Sequence, residues 1–388
     1  MNTKQSRRKF IANKVISVFY VFCMALPLFS QEHSRGKIAI PDLKGYITLK
    51  CDFHIHTVFS DGAVWPTERI DEAYYEGIDA IAITDNIETG NRYQLTNQLK
   101  VDSRNIAHDI AAAHAKNKGI ILIRGGEITR DMPPGHSNAI FLSNVDELVK
   151  PDYMDAYRAA KSQNAFIIWN HPGWVCHQPD TTLWWPVHTQ LLEQGMMHGI
   201  EVANGGTREY SPEAHRWCLE KKLTMIGSTD AHAPMQKQID FASMKHRTMT
   251  LVFVRDATPE DIYDALKERR TAIYHEKYVI GEEKYLKELF ENALEWKVTK
   301  GATWCSNEIL ITFNNKSDLT FYLKPASHDP KIVYLRNMVG LFTIEPKSEQ
   351  TLKVYLLDDI KGGDVNLIVE NFLVQPNTGM KYTVKIEN

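Results

Sequence analysis

Between Tyr46 and Glu276 short apolar runs alternate with amphipathic stretches, which restricts the chain to βα units around a largely parallel sheet. The pattern predicts strands over residues 47–53, 78–84, 120–125, 138–142, 165–169, 199–203, 223–227 and 248–254. Residues 66–77, 104–118, 152–163, 212–222 and 259–270 read as the intervening helices, with Thr67 and Thr258 placed to cap the first and last. A set of seven or eight such strands suits a barrel of the (β/α) type, whose functional residues gather at the carboxyl ends of the strands.

Residues with metal-ligand chemistry fall at those ends in succession. The first strand runs into His54 and His56, and residues i and i+2 of a strand share a face, so both imidazoles project together. Two neutral imidazoles converging there make half of a shell for zinc, manganese or iron. Asp61 follows, then Asp85-Asn86 after the second run, Glu127 after the third and His136 in a Pro-Pro-Gly loop. Asn170-His171, Glu201 with Asn204, and Asp230-Ala-His232 close the series. Each reads singly as a turn residue, a cap or a surface histidine. Chance is a poor explanation for so many at one rim.

The termini have a different texture. Arg7, Arg8, Lys9 and Lys14 precede an apolar run from Val15 to Phe29, the pattern of a secretory leader over residues 1–30, with an uncleaved anchor as the structural alternative. Ser6-Arg-Arg-Lys-Phe10 is similar to a twin-arginine signal, so a periplasmic or secreted location is expected. A net charge of −3, evenly spread, excludes a nucleic-acid footprint, and no later segment is apolar enough for a membrane span. Cys51, Cys176, Cys218 and Cys305 are too scattered for a disulfide framework or a thiolate zinc site. Residues 282–296 read as a last helix. Beyond it the β-rich runs 309–313, 319–323, 340–344, 352–356, 366–369 and 381–386 suggest a small antiparallel sandwich. The expected domains are thus 37–296 and 300–388.

The ordered motifs H-x-H-x-x-x-S-D-G, I-T-D, G-E, G-H, N-H-P, E-V-x-N and D-A-H resemble the polymerase and histidinol phosphatase (PHP) superfamily of metal-dependent phosphoesterases. The wording Glu127-Ile-Thr-Arg130, Met132-Pro-Pro-Gly-His136 and Trp169-Asn-His-Pro-Gly-Trp174 is further similar to the exported phosphodiesterases of the Sb-PDE type. The resemblance implies a distorted (β/α)7 barrel holding two to three divalent metals, Zn, Mn or Fe. It gives His54, His56, Glu127 and Asp230 to the first metal, with Glu127 bridging to a second held by His136 and His171. A third site would take Asp61 and His232 with a histidine where this chain has Asn86, an amide that binds transition metals weakly. That site is therefore expected to be weak, empty or filled by Mn²⁺ or Mg²⁺, with Asp85 or Glu88 as substitute ligands.

By the same resemblance the reaction is hydrolysis of a small-molecule phosphate diester by a hydroxide lying between the first two metals. Glu127, Asp230 and His232 are the expected catalytic residues, with His232 or a metal-bound water protonating the leaving group. Arg130 and Arg104 are candidates for substrate oxygens or else exposed charges. Trp65, Trp174, Trp184 and Trp185 either pack the loops or line a pocket for an apolar ester group. His177, His188, His198 and His215 match no motif and read as surface or loop residues. A phosphomonoesterase acting on nucleotides or sugar phosphates is the alternative, and a binding protein on a decayed barrel is a third reading.

Overall fold

The alternation in Ile-Thr-Leu-Lys-Cys-Asp-Phe-His-Ile produces β1 (Ile47–Ile55), whose last five residues are all buried. The structure, a computed structural model, describes residues 34–88, 103–238, 246–301, 307–326, 332–334, 341–356 and 363–386, so the leader lies outside the described residues. From β1 the barrel continues through β2 (Ala80–Ile83), β3 (Ile121–Ile128), β4 (Ser137–Ile140), β5 (Phe166–Trp169) and β6 (Gly199–Asn204). After the short β7 (Glu209–Tyr210) comes β8 (Thr224–Ser228).

Strands β1, β2 and β3 pair in parallel, as do β5 with β6 and β6 with β8. Closure comes at the carboxyl end, where Ile55 bridges to Ala231 and the His56 amide donates to the Ala231 carbonyl at 3.0 Å. β4 departs from the expected parallel rhythm, running antiparallel to both β3 and β5. Its connection to β3, residues 129–136, is too short for a parallel crossover, which takes about a dozen residues.

Helices Pro66–Tyr75, Ile106–Lys118, Tyr153–Ser162, Pro212–Lys221 and Pro259–Lys267 lie where the periodicity places them. Thr258 caps the last of these, accepting from the Asp261 amide at 3.1 Å. Thr67 caps nothing: Pro66 starts its helix, and the N-cap position belongs to Trp65, without a side-chain bond. Pro66 itself suits the first turn, where an amide hydrogen would be unpaired anyway. The helix Pro186–Glu193 was not foreseen.

The strand expected over 248–254 is present, but it opens an antiparallel run that widens the barrel wall. β9 (Met249–Val254) pairs with the first half of β1, and β10 (Thr271–His275) and β11 (Tyr278–Gly281) follow. β1 thus borders β9 at its start and β8 at its tip, which is the distortion of the barrel.

The helix Glu283–Ala293 ends earlier than expected, and Leu294–Lys300 is instead a strand, β12. The β-rich half then holds β13 (Glu308–Asn315), β14 (Phe321–Pro325), β15 (Ile332–Tyr334), β16 (Phe342–Ile344), β17 (Glu349–Leu356), β18 (Gly363–Gln375) and β19 (Thr378–Ile386). One sheet runs β12-β13-β17-β15; β16, β14, β18 and β19 form the facing layer. β18 also pairs in parallel with β11 through Val279↔Phe372 and Ile280↔Leu373, so this layer continues the barrel's sheet. Phe290, Phe321 and Phe372 pack at the junction with ring centroids 5.2–6.3 Å apart, each burial stabilising by roughly 1.5–3 kcal/mol.

Candidate metal centre

The tip of β1 carries His54 and His56 into a pocket of carboxylates. Their Nε2 atoms stand 3.0 Å apart, and Asp230 Oδ1 lies 3.3 Å from both. Glu127, at the end of β3, puts Oε1 3.3 Å from His54 Nε2 and 3.3 Å from His136 Nδ1. His171 Nε2 is 4.0 Å from both Glu127 Oε1 and Asp230 Oδ2. Asp61 closes the far side, 3.5 Å from His56 Nδ1 and 3.2 Å from His232 Nε2.

Three triads converge closely enough to grip a cation: His54 with Glu127 and His171, His54 with His56 and Asp230, and His56 with Asp61 and His232. The donor set fits divalent metals: buried imidazole nitrogens and carboxylate oxygens crowd one volume, and neutral imidazoles with carboxylates suit zinc, manganese and iron. His171 and Asp230 sit at φ 27° and 52°, in the left-handed region where a side chain strains the backbone. Strain of this kind persists where the surrounding structure fixes a functional side chain.

A ring of further residues aims these donors. Glu201, on β6, accepts from His54 Nδ1 at 2.8 Å and from the His171 amide at 2.8 Å, which leaves His54 Nε2 facing the cluster. Asn170 donates to Glu127 Oε1 at 2.8 Å and to Asn138 Oδ1 at 2.9 Å. Asp52, two residues before His54, accepts from the amide and hydroxyl of Thr229, next to Asp230, at 3.0 and 2.6 Å. Arg69 ties the two loops together, donating to the carbonyls of His56, Ala231 and Ala233.

Electrostatics follow from this packing. Burial opposes charge on His54, yet Asp230, Glu201 and Glu127 outweigh it and hold its pKa well above the ordinary imidazole value. Burial likewise disfavours ionised Glu127 and Asp230, but the facing imidazoles hold both well below the usual carboxylate range. Burial also opposes a charged His232, but Asp61 and Asp230 raise it to about 9. In His171 burial prevails and lowers the pKa; its Nδ1 is buried with no hydrogen-bond partner among the described residues.

The structure brings His54, His56, Asp61, Glu127, His136, His171, Asp230 and His232 to this one pocket. Asn86 borders it through a backbone bridge to Glu127, its Oδ1 buried and without a hydrogen-bond partner among the described residues. Asp85 is fully engaged by Thr57 and Ser60, and Glu88 by the Thr129 amide and Arg130. Arg130 also donates to the Lys150 carbonyl at 2.8 Å, and Arg104 is anchored through its amide to Asp146.

Of the tryptophans, Trp174 borders the centre, its ring centroid 5.3 Å from His171 and 5.8 Å from His136. Trp184 packs against Trp169 and Trp217, Trp185 donates to Gln178, and Trp65 leans on Phe59.

Of the four histidines read as surface or loop residues, His177 and His198 do lie in loops, half-buried, whereas His188 and His215 are buried on helices. His177 covers His136 with centroids 4.6 Å apart. His188 is buried, stacks on Trp169 and donates from Nε2 to the Pro134 carbonyl, two residues before His136. The sequence puts Asn170 and Glu201 at the rim but not against Glu127 and His54, and it misses His188, because nothing local tells which partner an inward amide, carboxylate or imidazole will meet.

Comparison with known proteins agrees with this geometry. A solved two-domain protein of Bacteroides vulgatus, described as containing a predicted PHP-like metal-dependent phosphoesterase, is 47% identical, with a TM-score of 0.84 over 91% of this chain and 99% of its own. The chain belongs to this PHP-like, two-domain family. Residues 301–385 match the Ig-like domain family DUF5001, in keeping with the sheet-rich half. An uncharacterised protein of Methanocaldococcus jannaschii is 27% identical over 48% of this chain and 83% of its own length.

Proposed function

We propose that this protein is an exported metal-dependent phosphodiesterase. The observation that carries the hydrolase reading is the chain of shared ligands: His54 and His56 each belong to two of the three converging triads, so neighbouring cations would lie side by side. The PHP-like phosphoesterase description of the Bacteroides relative supports the same reaction class. The diester preference and the export rest on the Sb-PDE-type wording and the leader pattern of residues 1–30.

His54, His56, Glu127 and Asp230 would hold one ion, and Glu127 with His136 and His171 a second. Asp61 and His232 would hold a third more weakly, because Asn86 offers an amide oxygen. When bound, divalent cations supply an acidified water and a sink for charge on the phosphoryl oxygens. The protein's own part is positional. Glu201 and Asn170 hold His54 and Glu127 in one orientation, and the Asp52–Thr229 clasp fixes β1 against β8. Geometry held in advance lowers the cost of organising the reaction.

The test compares bis(p-nitrophenyl) phosphate with p-nitrophenyl phosphate on the Mn²⁺- or Zn²⁺-loaded protein. Faster diester cleavage is expected. A monoester preference would move the reading to a nucleotide or sugar phosphatase, and metal analysis showing three tight equivalents would overturn the weak third site.

A further inference from the structure

We propose that Glu209 is the general acid that protonates the leaving group, an inference that rests on the phosphoesterase reading above. Glu209 lies on β7 directly opposite Asn204 of β6. Residues opposite one another in an antiparallel pair point to the same face, so Glu209 shares the face of Asn204. Asn204 reaches the metal centre: its Nδ2 is 3.0 Å from Glu201 and 3.4 Å from Asp230. The turn of the hairpin packs on the same residue, for a Cβ at Gly206 would stand 3.2 Å from Asp230 Cβ.

On its other side the Glu209 carboxylate presses into the loop that carries His171. A Cβ at Gly173 would fall 1.7 Å from Glu209 Oε1, so only glycine admits the carboxylate there. Glu209 therefore sits in the seam between the two loops that deliver His171 and Asp230. It is half-buried, and its carboxylate makes no hydrogen bond or ion pair among the described residues.

A carboxyl group so placed is available to a substrate. The charged groups that act on it are Glu201 and Glu213, and the opposing loop sets Gly173 and Thr182 against it. Burial first, then those two carboxylates, push its pKa up to about 7, so it carries a proton for much of the time at neutral pH. His232 is less free, since its Nδ1 faces the Asp230 carbonyl at 2.9 Å and its Nε2 faces Asp61.

In the step proposed, water supplies the oxygen that forms the new bond to phosphorus, releasing one of its protons to solvent and keeping the other on the product phosphate, and the bond to the ester oxygen breaks with its electron pair on that oxygen. The Glu209 carboxyl proton passes to the departing oxygen, and the carboxylate is reprotonated from solvent.

Loss of a general acid is felt in proportion to the leaving group's need for a proton. The experiment measures kcat/KM of the metal-loaded full chain on methyl phosphate diesters whose second ester group runs from p-nitrophenyl to phenyl to methyl. Glu209→Gln is expected to slow the p-nitrophenyl ester a few-fold and the phenyl and methyl esters ~10²-fold. Glu209→Asp, which keeps a carboxyl group, should recover much of the flat leaving-group dependence. A uniform loss across the series for Glu209→Gln would overturn the assignment and make Glu209 a binding or packing residue. If the wild-type protein cleaves none of the diesters, the phosphodiesterase reading fails, and this one with it.

Discussion

The histidines at the barrel rim and those in its outer wall are buried alike but partnered differently. His54, His56 and His171 are 0–4% exposed, as are His188, His215 and His275. At the rim the ring nitrogens face Glu127, Glu201, Asp230 and Asp61. In the wall they meet neutral groups: His188 the Pro134 carbonyl, His198 the Ile167 amide, His215 the Tyr210 hydroxyl and His275 the Thr248 hydroxyl. Burial therefore pushes all four wall histidines down to about 4, helped by Lys267 and Lys161 at half-buried His198 and by His246 at His275, while carboxylates raise His54 and His136 above their usual value. His171 shares the downward shift of the wall yet has a nitrogen near two carboxylates. A buried histidine marks a site through the charge it faces, and burial by itself marks only a core.

The comparison breaks first at the rim. Asp230→Ala removes an oxygen shared by His54 and His56, and turnover should fall ~10³-fold or more with loss of bound metal, read by elemental analysis beside a phosphodiester assay. A protein that keeps its metal and its rate would remove Asp230 from the centre.

Glu201→Gln is a milder probe, because the amide keeps the shape but loses the charge that orients His54. Metal affinity or activity should drop ~10–100-fold, the usual effect of a residue that steers a ligand. The fold should survive, as far-ultraviolet circular dichroism would show.

The wall gives the smallest effect, and it is one of pH. His198 has a pKa near 4 in the fold against an ordinary 6.5, so the unfolded chain binds its proton more readily between those values. Its contribution to stability is full above about pH 6.5 and is lost as the pH falls toward 4. Thermal unfolding of metal-free protein should show the melting temperature falling across that window, with a shallower slope for His198→Gln. An unchanged slope would mean that His198 is not held neutral.

Much of the rim could be read from the chain because strand periodicity is local. His54 and His56 must share a face once residues 47–55 are a strand, and acidic or imidazole residues after successive apolar runs must gather at one end of a barrel. Strand direction was harder, for β4 reverses on account of a short connection while its own residues read like any other buried strand. Partners across the barrel were hidden altogether: Asn170 reaches Glu127 and Asp52 reaches Thr229 over separations that no spacing rule covers. The run after Ala293 was misjudged because Leu294 and Trp296 continue an apolar pattern that suits a helix end and a strand start equally.

The pairing of β18 with β11 bears on how such a protein can be altered or inherited. A boundary drawn by composition near residue 300 would separate strands that share hydrogen bonds, leaving β11 with an open edge that invites pairing between molecules. The β-rich half is thus joined to the barrel by main-chain pairing as well as by side-chain packing. Any exchange that preserves solubility has to carry a replacement strand for that edge.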